Sequence, residues 1–196
     1  MAPKKVIVVD YDPAWAEQFE VLHKVLSKHL GSDFLAIEHV GSTSVKGLKA
    51  KPIIDLDIVI ADNDEVRDRV IEKLDQLGYV HRGDLGIKGR EAFKRPTDQV
   101  PETPENKTWF VHHLYVCKEG NLGLQNHLLF RDYLRAHPEE VKIYGDLKQT
   151  LAEKFPYDID AYIDGKTDFI TRILALAGLD KAKTSTIEKQ NKLDTK

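Results

Sequence analysis

Cysteine is almost absent from this chain of 196 residues, which contains only Cys117. A single thiol excludes an intramolecular disulfide framework and is compatible with a reducing compartment. Tyr115 and Val116, which precede it, are typical of a β-strand, so the sequence favours a packed thiol over a nucleophile. The chemistry of the protein must therefore be sought in other residues.

Long apolar runs and a charge excess of either sign are missing too. No stretch approaches the roughly 20 apolar residues that a membrane helix needs, and residues 1–6 have neither an apolar core nor a cleavage signal. Lysine and arginine number 29 and aspartate and glutamate 32, giving a net charge of -3. We therefore expect a cytoplasmic protein that has no membrane partner and does not bind nucleic acid by bulk charge, although a local basic cleft is compatible with this balance.

No internal repeat or linker divides the chain, and 41% of its residues are hydrophobic, enough to form a core. We expect a single domain over residues 1–179. Residues 180–196 are mostly polar, and we expect this tail to be disordered or a frayed helix. The order of strand-like and helical patterns predicts an α+β fold: a short, mixed, twisted sheet with helices on one side and a C-terminal helical portion.

Two aspartates, Asp55 and Asp57, lie within an apolar strand pattern over residues 53–60. Because side chains alternate along a strand, both carboxylates must project from the same face. Such a pair repels itself unless a cation lies between the two groups or one of them is protonated. Mg²⁺ or Mn²⁺ would suit them, since hard cations take carboxylate oxygens and share them with substrate phosphates. An isolated Asp-x-Asp strand, however, is more often a solvated face.

A Gly-Ser turn, Gly41-Ser42, precedes this strand, and Ser42 and Asp55 are thirteen residues apart. Glycine lets the backbone approach a ligand, and the serine hydroxyl suits a phosphate oxygen. Alone, such a pair is usually only a turn. Followed by a connector and an Asp-x-Asp strand, it resembles the arrangement of the nucleotidyltransferase superfamily.

A closer resemblance covers the whole stretch and extends from about residue 11 to residue 178. The chain is similar to the GrpB family, which is of nucleotidyltransferase type. The matching segments are His39-Val40-Gly41-Ser42-Thr43-Ser44-Val45, Gly47-Leu48 and Lys51-Pro52-Ile53-Ile54-Asp55. That family usually has proline where this chain has Lys46, a difference confined to a loop. The resemblance implies a nucleotidyltransferase-like fold, with Asp55 and Asp57 as catalytic metal ligands and Gly41, Ser42 and Lys51 beside the phosphates.

The strand around His113 carries a second part of the resemblance. GrpB proteins usually have a His-His-Leu-His-Val strand here, so His113 matches and Tyr115 replaces the last histidine. A strand histidine is more often packed or hydrogen-bonded than catalytic. The resemblance nevertheless implies that His113 faces the same cleft as Asp55 and Asp57.

Cations in the C-terminal half complete the set. By the same resemblance Arg131, Lys148 and Lys166 are candidates for triphosphate binding, whereas helical cations are by default solvated. Arg90, within a possible strand over residues 90–95, would suit a nucleotide phosphate or would simply lie at a solvated strand edge.

The favoured hypothesis is a metal-dependent nucleotidyltransferase that moves a nucleoside monophosphate from a nucleoside triphosphate to an unknown hydroxyl acceptor. Such enzymes commonly have a third carboxylate on a later strand. Glu91 is the one acid inside a plausible strand here, and His113 is a possible substitute as base or ligand. The missing third acid leaves two alternatives open: a non-catalytic sensor of nucleotides or phosphometabolites, and a scaffold whose polar tail binds a partner protein.

Overall fold

A five-stranded mixed sheet organises the fold in the computed structural model, which describes residues 4–105 and 107–193 and their side chains as far as residue 190. In space the strands follow the order β1-β2-β5-β4-β3. Only β2 and β5 pair in parallel among these strands, and the other neighbours are antiparallel. Their bounds are β1 Ala36–Val40, β2 Ile54–Ile60, β3 Val80–His81, β4 Arg90–Lys94 and β5 His112–Lys118.

The described residues form seven α-helices, which pack around the sheet, and a 3-10 turn at Ser42–Ser44 that follows β1. Asparagines begin two of the helices: the Asn63 side chain accepts hydrogen bonds from two backbone N–H groups of α2, and Asn121 does the same for α3. The helices are α1 Ala14–Leu30, α2 Asp64–Gln76, α3 Leu122–Ala136, α4 Pro138–Lys154, α5 Ile159–Asp164, α6 Thr167–Leu176 and α7 Lys181–Leu193.

The alternation along β2 separates core from site. Leu56 and Ile58 point to the face covered by α1 and α2, where they form the main hydrophobic core. The opposite face carries Asp55 and Asp57, and α3 lies against it. The prediction of an α+β fold with a short mixed sheet, helices on one side and a separate C-terminal helical portion is therefore confirmed.

Cys117 lies on the site face of β5, where it is buried between the sheet and α3 together with Val59 and Leu124. Burial raises the pKa of its thiol. The thiol is therefore held in its unreactive form, as a packed cysteine should be.

The polar segment after Leu179 is the one for which the sequence predicts disorder or a frayed helix. It forms α7, and Ile187 on this helix is only 2% exposed because it packs against Leu174 and Leu179. Residues 194–196 of the same segment lie outside the described residues. In the part of the chain that is described, we find no helix long and apolar enough to cross a membrane.

Candidate functional site

The Gly-Ser turn lies directly on the first aspartate of β2. Antiparallel pairing of β1 with β2 places Val40 opposite Asp55, so the chain leaves β1 beside that carboxylate. Gly41 has φ 67°, and a Cβ built there would press on Oδ2 of Asp55 and lie 3.0 Å from its Cβ and Cγ. Glycine is therefore required both by the backbone conformation and by the close approach.

Seven of the nine predicted site residues line one cavity of about 290 Å³ on the site face of the sheet. The walls come from the Gly-Ser turn, from β2 and β5, and from helices α3 to α6. We call it the lysine cavity. The seven residues are Gly41, Ser42, Lys51, Asp55, His113, Lys148 and Lys166.

Three ammonium groups converge on this cavity. Lys148 is 2% exposed and its Nζ donates a hydrogen bond to Ser42 Oγ at 2.8 Å. Lys166 Nζ lies 4.6 Å from the centroid of the Tyr162 ring, and Lys51 Nζ lies 5.8 Å from the same centroid. Within the described residues, none of the three forms an ion pair with a carboxylate.

The pKa values of the three lysines reflect their burial and their closeness to one another. Burial, followed by the charge of Lys51, lowers the pKa of Lys166 to about 8. Burial, followed by the charge of Lys166, holds the pKa of Lys148 well below its usual value, and burial also lowers the pKa of Lys51. The cavity therefore contains positive charge that an anion would stabilise.

Asp55 faces the cavity together with His113. His113 Nδ1 lies 2.8 Å from Asp55 Oδ1, and the two side chains are 49% and 31% exposed. Burial raises the pKa of Asp55, but the hydrogen bond and charge of His113, with the charges of His127 and Lys51, outweigh burial and hold that pKa below its usual value. With Nδ1 donating to an ionised Asp55, Nε2 of His113 is left as the proton-accepting nitrogen.

Asp57 points to the same face but is fully buried, at 0% exposure. Its Oδ2 pairs with Nδ1 of His127 at 2.7 Å, while its buried Oδ1 accepts no hydrogen bond from the residues described. Burial lowers the pKa of His127, but the charge and hydrogen bond of Asp57 outweigh burial and raise it above its usual value. One carboxylate oxygen is therefore left unpaired in the interior.

His127, which lines the lysine cavity, was missed by the sequence interpretation. It belongs to none of the motifs, and on sequence alone it is an ordinary polar residue of α3. The one available signal is its spacing, because His127 lies one helical turn before Arg131 and hence on the same side of the helix.

Arg131 does not reach the lysine cavity. Its Nη1 donates to Glu38 Oε2 at 2.6 Å and to the backbone oxygen of His39 at 3.0 Å, and its Nε donates to Asp132 at 2.7 Å. The guanidinium therefore ties α3 to β1. Among the nine predicted residues, Arg131 and Asp57 are the two that do not line the cavity.

The suggestion of Glu91 as third carboxylate is wrong. Glu91 pairs in register with Val116, on the face of the sheet opposite to Asp55 and Asp57, and its carboxylate bonds His81 at 2.7 Å. The acid that faces Asp57 from the neighbouring strand is Glu38, which Arg131 neutralises. Across the described residues, no group of three or more histidine, cysteine, aspartate and glutamate side chains is arranged to hold a metal ion.

Comparison with known proteins places this geometry in a family. Residues 5–176 match the family described as GrpB protein. The UPF0157 protein YqkA of Bacillus subtilis is 38% identical over 167 residues, which are 85% of this chain and 46% of YqkA, so the chain spans about half of that relative. The solved structure of the conserved protein GrpB from Enterococcus faecalis is 35% identical, with a TM-score of 0.73 over 87% of this chain and 96% of that one.

A more distant overlap involves Cid1, which is described as having RNA terminal uridylyl transferase activity. It covers 72% of this chain and 42% of the Cid1 chain, with 16% identity and a TM-score of 0.46. A likeness of this degree transfers no function.

Proposed function

The chain belongs to the GrpB family, and from this premise we propose that it is a Mg²⁺-dependent nucleotidyltransferase that moves a nucleoside monophosphate from a nucleoside triphosphate to a hydroxyl acceptor. The observation that carries the proposal is the meeting of three unpaired ammonium groups with a glycine-serine turn and an ionised aspartate in one cavity. Burying like charges together is unfavourable for folding alone. A bound polyanion would compensate for their mutual repulsion.

The triphosphate would lie against the lysines. Lys148 already bonds the Ser42 hydroxyl, so a phosphate oxygen placed beside them would meet a charged donor and a neutral one. Lys51 and Lys166 line the same cavity, near the Tyr162 ring. Together the three lysines would offset the negative charge that develops on the leaving pyrophosphate.

The two aspartates are the residues that would hold a hard divalent cation in this proposal. Asp55 is ionised and open to the cavity, and Asp57 has a buried oxygen without a hydrogen-bond partner among the described residues. Mg²⁺ is commonly held by one or two carboxylates and completed by substrate phosphates, so two protein ligands suffice for this proposal. When bound, the cation would neutralise phosphate charge and make the α-phosphorus more electrophilic.

His113 is the proposed base. Its Nδ1 is fixed by Asp55, which orients the ring and leaves Nε2 to take the proton of the acceptor hydroxyl. The acceptor oxygen forms a bond to the α-phosphorus, the bond from that phosphorus to the bridging oxygen breaks, and pyrophosphate leaves with the bonding electrons. The products are pyrophosphate and an acceptor that carries the nucleoside monophosphate.

The experiment is a calorimetric titration of Mg-ATP, Mg-GTP and Mg-CTP into the wild-type protein and into the double variant Asp55→Asn, Asp57→Asn. We expect the double variant to lose at least tenfold in affinity for the preferred nucleotide in the presence of Mg²⁺. Circular dichroism verifies that it is folded.

The matched control is Asp62→Asn, Asp64→Asn, which removes two carboxylates that pair with Lys118 on the surface beyond the other end of β2. This control should bind like the wild type. Equal binding by the site variant and the wild type, or no binding by either, would contradict the proposal.

A further inference from the structure

A second cleft adjoins the lysine cavity across the Asp57–His127 pair. It has a volume of about 740 Å³ and lies between β4, β5, α3 and α7. Asn126 and His127 line both spaces, so the two cavities share part of α3 as a common wall. The activity proposed above uses only the lysine cavity and leaves this cleft without a role.

Arg90 is the charged group of this cleft. Its guanidinium carbon lies 4.6 Å from the centroid of the Tyr115 ring, so the ring supports it from one side. Its Nε is buried and has no hydrogen-bond acceptor among the described residues, and no carboxylate there forms an ion pair with it. A buried N–H of a cation without an acceptor is unfavourable, and an oxyanion would satisfy it.

Arg95, five residues further along, shows what a purely structural arginine looks like in the same region. Its guanidinium donates to the backbone oxygens of Val100, Phe110 and Asp98 at 2.9 to 3.0 Å. The fold thus satisfies the donors of Arg95 with its own carbonyl groups. Among the described residues it provides no acceptor for the Nε of Arg90, whose side chain lines the cleft.

The position of the cleft relates it to the reaction. Tyr115, which supports Arg90, pairs in register with Asp57 across β5 and β2. A small molecule held by Arg90 would therefore lie one strand away from the proposed metal-binding aspartate. Its far end would reach the shared boundary at Asn126 and His127.

We propose that the second cleft binds the acceptor, and that the acceptor carries, in addition to its reacting hydroxyl, a carboxylate or phosphate group held by Arg90. This inference rests on the proposed nucleotidyl transfer and names the class of its second substrate. Leu85, Ile87 and Ile187 supply the apolar part of the lining, which suits a small acid with a short carbon skeleton rather than a free inorganic ion.

The test follows the Nε–H signal of Arg90 by ¹⁵N–¹H nuclear magnetic resonance, assigned by its disappearance in Arg90→Lys. Glycerol 3-phosphate, glycerate and uncharged glycerol are the three probes, each titrated with and without saturating tripolyphosphate, which occupies the lysine cavity. We expect a saturable shift with glycerol 3-phosphate, with glycerate or with both, persisting in tripolyphosphate, and none with glycerol. The responding anion tells a phosphate subsite from a carboxylate subsite.

The matched control is Arg82→Lys, the same substitution at an exposed residue of the loop before β4. Calorimetry compares the two variants, because Arg90→Lys has no Nε–H signal to follow. Arg82→Lys should keep the affinity for the responding anion, whereas Arg90→Lys should lose at least fivefold. An Arg90 signal that none of the anions moves, or equal affinity in both variants, overturns the assignment of the second cleft. Failure of tripolyphosphate to bind counts against the lysine cavity instead, so the two failures are distinguishable.

Discussion

Gly41 illustrates how one backbone position controls the site. Two separate constraints require glycine here: the positive φ and the contact that a Cβ would make with Asp55. Gly47 is subject only to the first, since it has φ 81° and open space around it. We expect Gly41→Ala and Gly47→Ala each to lower the free energy of unfolding by about 1–2 kcal/mol because of the backbone conformation.

Only Gly41→Ala should also displace the Asp55 carboxylate and weaken nucleotide binding, by tenfold or more. Urea unfolding and nucleotide titration on both variants measure the two effects. Equal nucleotide affinity in the two variants would mean that the contact with Asp55 has no functional weight.

Lys166 gives the site a pH dependence. A phosphate binds the protonated ammonium better, and the pKa of Lys166 in the free protein is about 8. Below pH 8 the group is charged and affinity is level, and above pH 8 we expect affinity for tripolyphosphate to fall by up to tenfold per pH unit. Calorimetry between pH 7 and pH 9.5 measures this fall.

In Lys166→Arg the guanidinium stays charged throughout this range, so the part of the decline due to residue 166 should disappear. Lys148→Arg is the companion variant, which tests how much of the decline belongs to the neighbouring lysine. A wild-type affinity that does not change up to pH 9.5 would refute the role of Lys166.

At the scale of elements, α7 closes the molecule on one side. Ile187 is the residue that holds it, packed against α6 at Leu174 and against Leu179. Truncation of a buried isoleucine leaves a cavity, so Ile187→Ala should lower the free energy of unfolding by about 2–3 kcal/mol. The exposed neighbour Thr186→Ala should change it by less than about 0.5 kcal/mol.

Ile187 also lines the second cleft but not the lysine cavity. Ile187→Ala should therefore leave affinity for tripolyphosphate unchanged at temperatures where the protein is folded. Thermal unfolding and a parallel titration distinguish these effects. A variant as stable as the wild type would show that α7 is not held by this contact.

The sequence predicts the helices, the strands and their faces better than it predicts the contacts between side chains of different elements. The alternation along β2 was enough to place Asp55 and Asp57 on one face, because strand geometry alone determines it. The role of His127 could not be predicted from the sequence, because its contact with Asp57 depends on how α3 packs against the sheet. The family resemblance implies a phosphate role for Arg131, and nothing in the sequence reveals that Glu38 is its partner.

The tail shows the same limit from the opposite direction. Its polar composition predicts disorder or a frayed helix, whereas Ile187 of α7 is buried against Leu174 and Leu179. The composition of a segment is an average over all its residues, whereas the packing of a helix depends on particular apolar residues. Local propensity therefore describes α7 poorly.

At the scale of the whole molecule, two buried histidines make stability depend on pH. His39 packs on Phe19 and bonds Thr43, and His112 bonds the hydroxyl of Tyr79 at 2.6 Å. Burial lowers the pKa of His39 to about 4 and that of His112 to about 3. In the unfolded chain both should titrate near pH 6.5, so the unfolded state binds more protons between about pH 4 and pH 6.5.

The stabilisation from keeping both rings neutral is present above pH 6.5 and is lost as the pH falls towards these folded-state values. From pH 7 to pH 5 we expect the free energy of unfolding to decrease by roughly 3 kcal/mol. Urea unfolding at several pH values measures it, and His39→Gln should show about half the decrease. An unchanged slope in that variant, or an imidazole signal of His39 that titrates near pH 6.5, would contradict this account.

The hydrogen bond from Lys148 to Ser42 joins residues that are 106 positions apart. A chain leaving the ribosome therefore presents its serine turn and its acidic strand long before Lys148 and Lys166 are synthesised. Occupancy of the pocket is possible only after residue 166 has emerged and the C-terminal helices have docked. In a translation-arrest series, the shortest nascent chain able to retain tripolyphosphate would thus report completion of the native structure.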